Sequence, residues 1–124
     1  MQDGKHVILC IDDDIDITDM LKVFLESKDY IVSIAATAEE GLQVYKQVNP
    51  DLIIVDLMME EIDAGTNFIK ELRAVGNKVP VYMLSSVGDN LALTTDYTAL
   101  GFAGVFQKPF DFDKLLKIIK TKLG

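Results

Sequence analysis

The chain contains little of what defines several other classes of protein. Its only cysteine, Cys10, lies inside an apolar run, which excludes an intramolecular disulfide and predicts a buried, unreactive side chain. No apolar stretch is long enough to span a bilayer, and the first residues do not resemble a secretory signal. We therefore expect a cytoplasmic protein that has no membrane partner.

Basic residues are also scarce, with 12 Lys and Arg against 20 Asp and Glu and a formal net charge of −8. Nucleic acid and anionic membranes repel such a chain, so we expect proteins or cations as partners and no nucleic acid. The only histidine, His6, is expected at the surface and not as a ligand. The length of 124 residues predicts a single domain over 1–124 with no output domain.

Short, continuously apolar runs recur along the chain. They predict five strands that are covered on both faces, as in a parallel sheet. Strands that alternate with helices pair in parallel through right-handed crossovers, so the expected fold is a doubly wound α/β domain with five helices. The runs are 7–11, 31–35, 52–56, 80–84 and 103–107.

Each run is followed by a segment with the pattern of a helix. Thr37 and Glu40 match a capping box at the start of the second helix, and Asp14 suits the cap of the first. Asp111 or Asp113 is expected to cap the last helix. The helix predicted over 89–100 has a weak pattern, because threonines interrupt it. The residues expected to face inward are Ile17, Met20, Leu21, Phe24, Leu25, Leu42, Tyr45, Val48, Phe68, Ile69, Leu72, Val75, Leu115, Ile118, Ile119 and Leu123.

Three acidic residues close two of the predicted strands. Asp12 and Asp13 follow the first strand, and Asp56 ends the third. The carboxyl ends of neighbouring parallel strands meet at the edge of an open α/β sheet where ligands bind. Carboxylates held close together need a counter-ion, and Mg²⁺ is the hard cation that prefers oxygen ligands. The sequence therefore predicts a magnesium site at this edge.

Polar residues end two further strands: Ser85 follows the fourth, and Lys108, with Pro109 and Phe110 after it, follows the fifth. Together with the three acids, in this order and spacing, they resemble the receiver domain of bacterial two-component response regulators. The resemblance covers essentially the whole chain. It implies a flavodoxin-like sheet with the strand order 2-1-3-4-5.

The resemblance implies a role for each of these residues. Asp56 would be the phosphoacceptor, whose carboxylate attacks a phosphoryl group from a histidine kinase or a phosphotransfer protein. Lys108 would place a positive charge on one phosphoryl oxygen, and the hydroxyl of Ser85 would donate a hydrogen bond to another. Mg²⁺ would be held by Asp13, by Asp56, by the backbone carbonyl of Met58 and, largely through water, by Asp12.

Three positions depart from the family's usual pattern. Glu60 stands where the family has a proline, and Ala64 with Gly65 moves the usual glycine by one place. Val105 stands where the family has an aromatic that turns inward, and strand alternation sends the neighbouring Phe106 to the opposite face. These departures affect the conformational change that would follow phosphorylation more than the phosphoryl chemistry itself.

Two apolar residues, Met58 and Val87, stand at the positions that flank the phosphate in the family. Neither carries a group that can orient an attacking water. We therefore expect slow loss of the phosphoryl group in the absence of a partner.

Other functions fit these residues less well. Asp12, Asp14 and Asp16 match the first acids of a calcium-binding loop, but Ile17 and Val23 stand where that loop needs Gly and Glu. A magnesium-dependent phosphatase would need an insertion that excludes water from a substrate, and none is present. The alternatives that remain are a phosphoaccepting module that changes its affinity for a protein partner and is not a turnover enzyme, or a phosphorylation-independent protein-interaction domain.

Overall fold

In a computed structural model the chain forms a five-stranded parallel sheet with helices on both faces. The structure describes residues 3–56, 64–86, 101–108 and 111–123, including all of their side chains except those of 64–67, 85–86 and 107–108. The strands are Val7–Ile11 (β1), Ile31–Ala35 (β2), Leu52–Asp56 (β3), Val81–Ser86 (β4) and Gly104–Lys108 (β5). The helices are Ile15–Glu26 (α1), Ala38–Val48 (α2), Ala64–Ala74 (α3) and Phe112–Leu123 (α4).

The strand order is β2-β1-β3-β4-β5, and every pairing is parallel. The doubly wound α/β fold and its strand order are therefore confirmed. The helix predicted over 89–100 lies outside the described residues. None of the described helices is long and apolar enough to cross a membrane.

The core consists of two apolar layers, one on each face of the sheet. On one face, β-strand side chains pack against Leu21 and Leu25 of α1 and against Leu115 and Ile119 of α4. On the other face they pack against α2 and α3. Cys10 lies in the first layer, and burial, reinforced by the nearby charge of Asp12, raises its pKa to about 12. The prediction of a buried cysteine is confirmed, and the thiol stays protonated at neutral pH.

The expected helix caps are present. Asp14 is the N-cap of α1 and accepts a hydrogen bond from the N–H of Asp16, and Thr37 caps α2 by accepting one from the N–H of Glu40. For α4 the two candidates are resolved in favour of Asp111, whose Oδ1 accepts from the N–H of Lys114.

Two residues expected to face inward are exposed instead. Met20 is 39% exposed, because the buried stripe of α1 runs through Thr18 and Leu21, with the Thr18 hydroxyl donating to the carbonyl of Ile15. Val75 is 51% exposed, because α3 ends at Ala74 and Val75 lies in the turn that follows.

Candidate functional site

The three acids of the predicted cation site lie at the carboxyl edge of the sheet. Ile11 of β1 is the register partner of Val55 of β3, so the residues that follow them, Asp12 and Asp56, lie side by side. Asp12 is only 2% exposed, Asp56 is half-buried and Asp13 is exposed. Each of the three carboxylates has one oxygen within 4.8 Å of the other two. Residues that are distant in the chain therefore share one small space.

Asp12 is held in place by its neighbours. Its N–H donates to the carbonyl of Ala35 on β2 at 3.1 Å, which continues the pairing between β1 and β2 by one residue. Its Oδ1 accepts a hydrogen bond from the N–H of Asp14 at 3.0 Å. The orientation of this buried carboxylate is therefore set partly by the start of α1.

The donor set fits a hard divalent cation. Ligand oxygens around an octahedral Mg²⁺ are about 3.0 Å apart when adjacent and about 4.2 Å apart when opposite, since each Mg–O distance is about 2.1 Å. The three carboxylate oxygens lie within 4.8 Å of one another, close enough for Asp13 and Asp56 to hold such an ion directly and for Asp12 to hold it largely through water. Three like charges at this distance also repel one another, and a divalent cation would remove that repulsion.

The remaining members of the predicted site lie on the same edge of the sheet, as far as they are described. Ser85 and Lys108 belong to the strands β4 and β5 and do not follow them, contrary to expectation. Leu84 pairs with Asp56, and Ser85 is the next residue along β4. Ser86 pairs with Lys108. Met58, Val87 and the side chains of Ser85 and Lys108 lie outside the described part of the chain, as does Glu60.

Val105, which departs from the family pattern, and its neighbour Phe106 lie on opposite faces of β5. Phe106 points to the α1 and α4 side, where its ring stacks on Tyr82 with the centroids 4.8 Å apart. Val105 packs on the α2 and α3 side. The expectation that Phe106 lies on the opposite face from Val105 is confirmed. Gly104 leaves room for the Tyr82 ring, since a Cβ on Gly104 would lie 2.8 Å from it.

An exposed apolar surface on α1 was missed by the sequence reasoning. Ile15 is 68% exposed and Val23 is 71% exposed, and Met20 lies between them. Beside them runs a groove lined by Asp19, Met20, Val23, Phe24, Ser27 and Phe112. The sequence did contain a feature that indicates this surface, because Ile15 and Val23 fall outside the apolar spacing of the buried face of α1. This surface begins directly after the acids.

The opposite, amino edge of the sheet also carries an acid. The Oδ2 atom of Asp51 accepts the N–H of Val7 at 2.8 Å and lies 3.7 Å from Nδ1 of His6. Burial alone would raise the pKa of the Asp51 carboxyl, but the Val7 hydrogen bond and neighbouring positive charge outweigh it and lower the pKa. The expectation of a surface histidine is wrong in part, because Nδ1 of His6 is buried.

Comparison with known proteins agrees with this geometry. The family model of the response regulator receiver domain matches residues 8–120. The chain therefore belongs to the response regulator receiver domain family. The resemblance recognised in the sequence is confirmed.

Individual relatives support the same assignment. The chain is 31% identical to the chemotaxis protein CheY of Bacillus subtilis over 122 residues, covering 96% of the chain and 98% of that protein. The structure of the chemotaxis response regulator CheY4 of Vibrio cholerae matches with a TM-score of 0.83 and 29% identity, covering 97% of the chain and 100% of that structure.

Some relatives are longer. The chain is 34% identical over 118 residues to the transcriptional regulatory protein CpxR homolog of Haemophilus influenzae, covering 94% of the chain. It spans 49% of that protein, and about half the length of several other relatives that it matches.

Proposed function

We propose that the chain is a phosphoaccepting signalling module and that Asp56 is the residue modified. The observation that carries this proposal is the convergence of Asp12, Asp13 and Asp56 at the carboxyl edge of a receiver fold. A carboxylate oxygen of Asp56 attacks the phosphorus of a phosphohistidine, a P–O bond forms, and the P–N bond to the imidazole breaks. The product is an aspartyl phosphate on this chain and a free histidine on the donor.

The surrounding residues reduce the charge repulsion in this step. Asp13 and Asp56, with the backbone carbonyl of Met58 and, largely through water, Asp12, would hold Mg²⁺, which neutralises the approaching anion when bound. Lys108 would contact one phosphoryl oxygen, and the hydroxyl of Ser85 would donate a hydrogen bond to another. The register supports these roles, since Ser85 lies one residue and Lys108 two residues beyond the level of Asp56, toward the carboxyl edge of the sheet.

The surface of α1 supports a protein as the phosphodonor. Ile15 and Val23 are more than two-thirds exposed, and they lie on the helix that starts beside the acids. Exposed apolar side chains next to a reactive site are typical of a docking surface. A histidine kinase or a phosphotransfer protein that packs against α1 would bring its phosphohistidine close to Asp56.

The output is a changed affinity for a protein partner. Phosphorylation adds charge at the carboxyl edge, and a shift of a few kcal/mol is enough to reverse the populations of two conformations. In this proposal the domain acts in the cytoplasm, has no turnover activity of its own and does not bind nucleic acid directly. Its charge of −8 supports the last point.

The test is the intact mass of the purified protein after incubation with Mg²⁺ and acetyl phosphate. We expect the gain of one phosphoryl group in the native chain and none in the Asp56→Asn variant. Asp51→Asn is the matched control, because it removes a carboxylate at the other end of the sheet, and it should be phosphorylated as the native chain is.

The same experiment distinguishes phosphoacceptance from the alternative function, a phosphorylation-independent interaction domain. If neither acetyl phosphate nor a competent histidine kinase modifies the native chain, phosphoacceptance is refuted and a phosphorylation-independent interaction domain becomes the better description. Modification that persists in Asp56→Asn would place the acceptor elsewhere. If the phosphate is gained at Asp56, its loss should be slow, with a half-life longer than seconds.

A further inference from the structure

The N-cap of α1 and the buried acid of the site are joined through one residue, Asp14. Its side chain accepts a hydrogen bond from the N–H of Asp16 at 3.0 Å. Its carbonyl accepts from the N–H of Ile17 at 3.1 Å and of Thr18 at 3.2 Å. Its own N–H donates to Oδ1 of Asp12 at 3.0 Å. Asp14 therefore connects the first turn of the helix to the carboxylate of Asp12.

The direction of the Asp14 N–H depends on the cap. Asp14 has an extended backbone, with φ −85° and ψ 104°, as N-cap residues do, and the side-chain bond to Asp16 holds it in that conformation. Without a side-chain acceptor at this position the first turn of the helix frays more readily, since the N–H of Asp16 then has only water as a partner. The peptide that carries the Asp14 N–H would then no longer be held toward Asp12.

The orientation of Asp12 matters more than that of an exposed acid. Asp12 is 2% exposed, so hydrogen bonds from the protein, rather than water, decide how its carboxylate is turned. The oxygen that Asp12 presents to Asp13 and Asp56 depends on this rotation.

We propose that Asp14 is a positioning residue for the cation site, acting through the cap of α1 and its N–H to Asp12. This inference rests on the proposed function, since it assumes that Asp12, Asp13 and Asp56 hold a divalent cation. It assigns the effect of Asp14 to hydrogen-bond geometry and not to its negative charge. Partners in the shell around metal ligands typically change metal affinity by about 10–100-fold when they are removed.

Two variants at one position separate geometry from charge. Asp14→Ala removes the cap and the charge, whereas Asp14→Asn removes the charge but keeps a side-chain oxygen that accepts from Asp16. We expect the dissociation constant for Mg²⁺, measured by titration calorimetry, to rise about 10-fold or more in Asp14→Ala. In Asp14→Asn it should stay within about threefold of the native value, because asparagine caps helices as well as aspartate.

A second measurement reports on the hydrogen bond from the N–H of residue 14 to Oδ1 of Asp12. The amide proton of residue 14 should keep its downfield ¹H shift and its slow exchange in Asp14→Asn and should lose both in Asp14→Ala. Asn77→Ala is the control for general destabilisation. Asn77 accepts from the Tyr45 hydroxyl and the Val79 N–H in the turn before β4, away from the acids. This variant should weaken the fold while leaving Mg²⁺ affinity and the residue 14 amide unchanged.

The outcomes are distinct. Asp14→Asn as weak in Mg²⁺ binding as Asp14→Ala would show that charge is what matters, and equal affinity in Asp14→Ala and the native chain would show that the cap does not matter. Either result overturns the positioning role while the native chain still binds Mg²⁺ and still accepts phosphate. A native chain that does not bind Mg²⁺ would instead refute the cation site of the proposed function, and the positioning role with it.

Discussion

The carboxylates at the two ends of the sheet have opposite electrostatic surroundings. At the amino end, the Asp51 carboxylate accepts the N–H of Val7 and lies 3.7 Å from Nδ1 of His6. Its pKa is lowered, as expected of an acid whose charged form is stabilised by the fold. At the carboxyl end, three carboxylates bring their oxygens within 4.8 Å of one another.

This difference distinguishes an acid that stabilises the fold, Asp51, from acids that are placed to bind a cation, Asp12, Asp13 and Asp56. A carboxylate that accepts a backbone N–H favours the folded state, because its charge meets a donor. Asp12 also accepts one, from Asp14, but two further carboxylates lie beside it. Two like charges about 4 Å apart cost about 1 kcal/mol in water and about 4 kcal/mol near a protein surface. A cluster with that cost is expected where a cation or a reaction requires it. Three predictions test this contrast.

The largest expected effect is the response of stability to Mg²⁺. A ligand at about 100 times its dissociation constant stabilises a folded protein by about 2.7 kcal/mol, which corresponds to roughly 10 °C in Tm for a domain of this size. Thermal unfolding followed by circular dichroism should show this shift in the native chain. Asp12→Asn should lose most of it, because a buried carboxylate that would hold the cation largely through water becomes neutral.

Asp51→Asn is the control for this measurement, and it should keep the full Mg²⁺ shift, because Asp51 lies at the other end of the sheet. An Mg²⁺ shift in Asp12→Asn as large as that of the native chain would contradict the assignment of Asp12 to the cation site.

The second effect concerns the amino end. Asp51→Asn should lower the free energy of unfolding by about 1–2 kcal/mol at pH 7, because it replaces a charge-assisted hydrogen bond to Val7 with a neutral one. The pKa of Asp51 is lower in the folded state, so this stabilisation is present above the ordinary pKa of 3.8 and is lost as the pH falls below it. Urea unfolding of both chains at pH 7, 5 and 3 measures this.

The difference between the two chains should be the same at pH 7 and pH 5 and smaller at pH 3, because the stabilisation is lost as the pH falls from 3.8 through the lowered pKa of the folded state. A difference that stays constant over this range would mean that the charge of Asp51 is not the source of the stabilisation.

The smallest effect is a gain of stability at the carboxyl end. Without Mg²⁺, in the presence of a chelator, Asp12→Asn should raise the free energy of unfolding by about 1 kcal/mol. Removing one of three like charges relieves more repulsion than is lost by making the hydrogen bond from the N–H of Asp14 a neutral one. The Asn oxygen can still accept the N–H of Asp14, so the local geometry is kept. Urea unfolding at low and high salt measures the effect, and high salt should reduce it.

The sign of this change is the informative part. Asp12→Asn and Asp51→Asn remove the same charge at the two ends of the sheet, and they are expected to change stability in opposite directions. Loss of stability in both variants would mean that the carboxyl-end acids support the fold as Asp51 does.

Most of the fold was predictable from the sequence because the strands are fully covered. Residues 7–11 and 52–55 are continuous apolar runs, and all nine lie in the buried core. The caps at Asp14 and Thr37 were predictable for a related reason, since a cap depends on residues only two or three places apart. Such local signals do not require knowledge of the tertiary structure.

The errors lie where packing between elements decides the outcome. Met20 fits the apolar spacing of α1, but Thr18 occupies the buried position that faces the sheet. His6 lies near the start of the chain and was expected to be a surface residue, yet the approach of Asp51 and the start of β3 covers its Nδ1. Neither residue has a local feature that indicates these contacts.

The sequence by itself determined which segments form strands and helices, which residues cap the helices, and which acids stand at strand ends. These properties follow from apolar spacing and from hydrogen bonds between near neighbours in the chain. Only the tertiary structure decided the register of β1 against β3, and with it the shared space of Asp12 and Asp56. It also decided that α1 presents Ile15, Met20 and Val23 to the outside. Register and helix rotation are set by contacts between segments that are distant in the chain, and these form only when the sheet and its two apolar layers assemble.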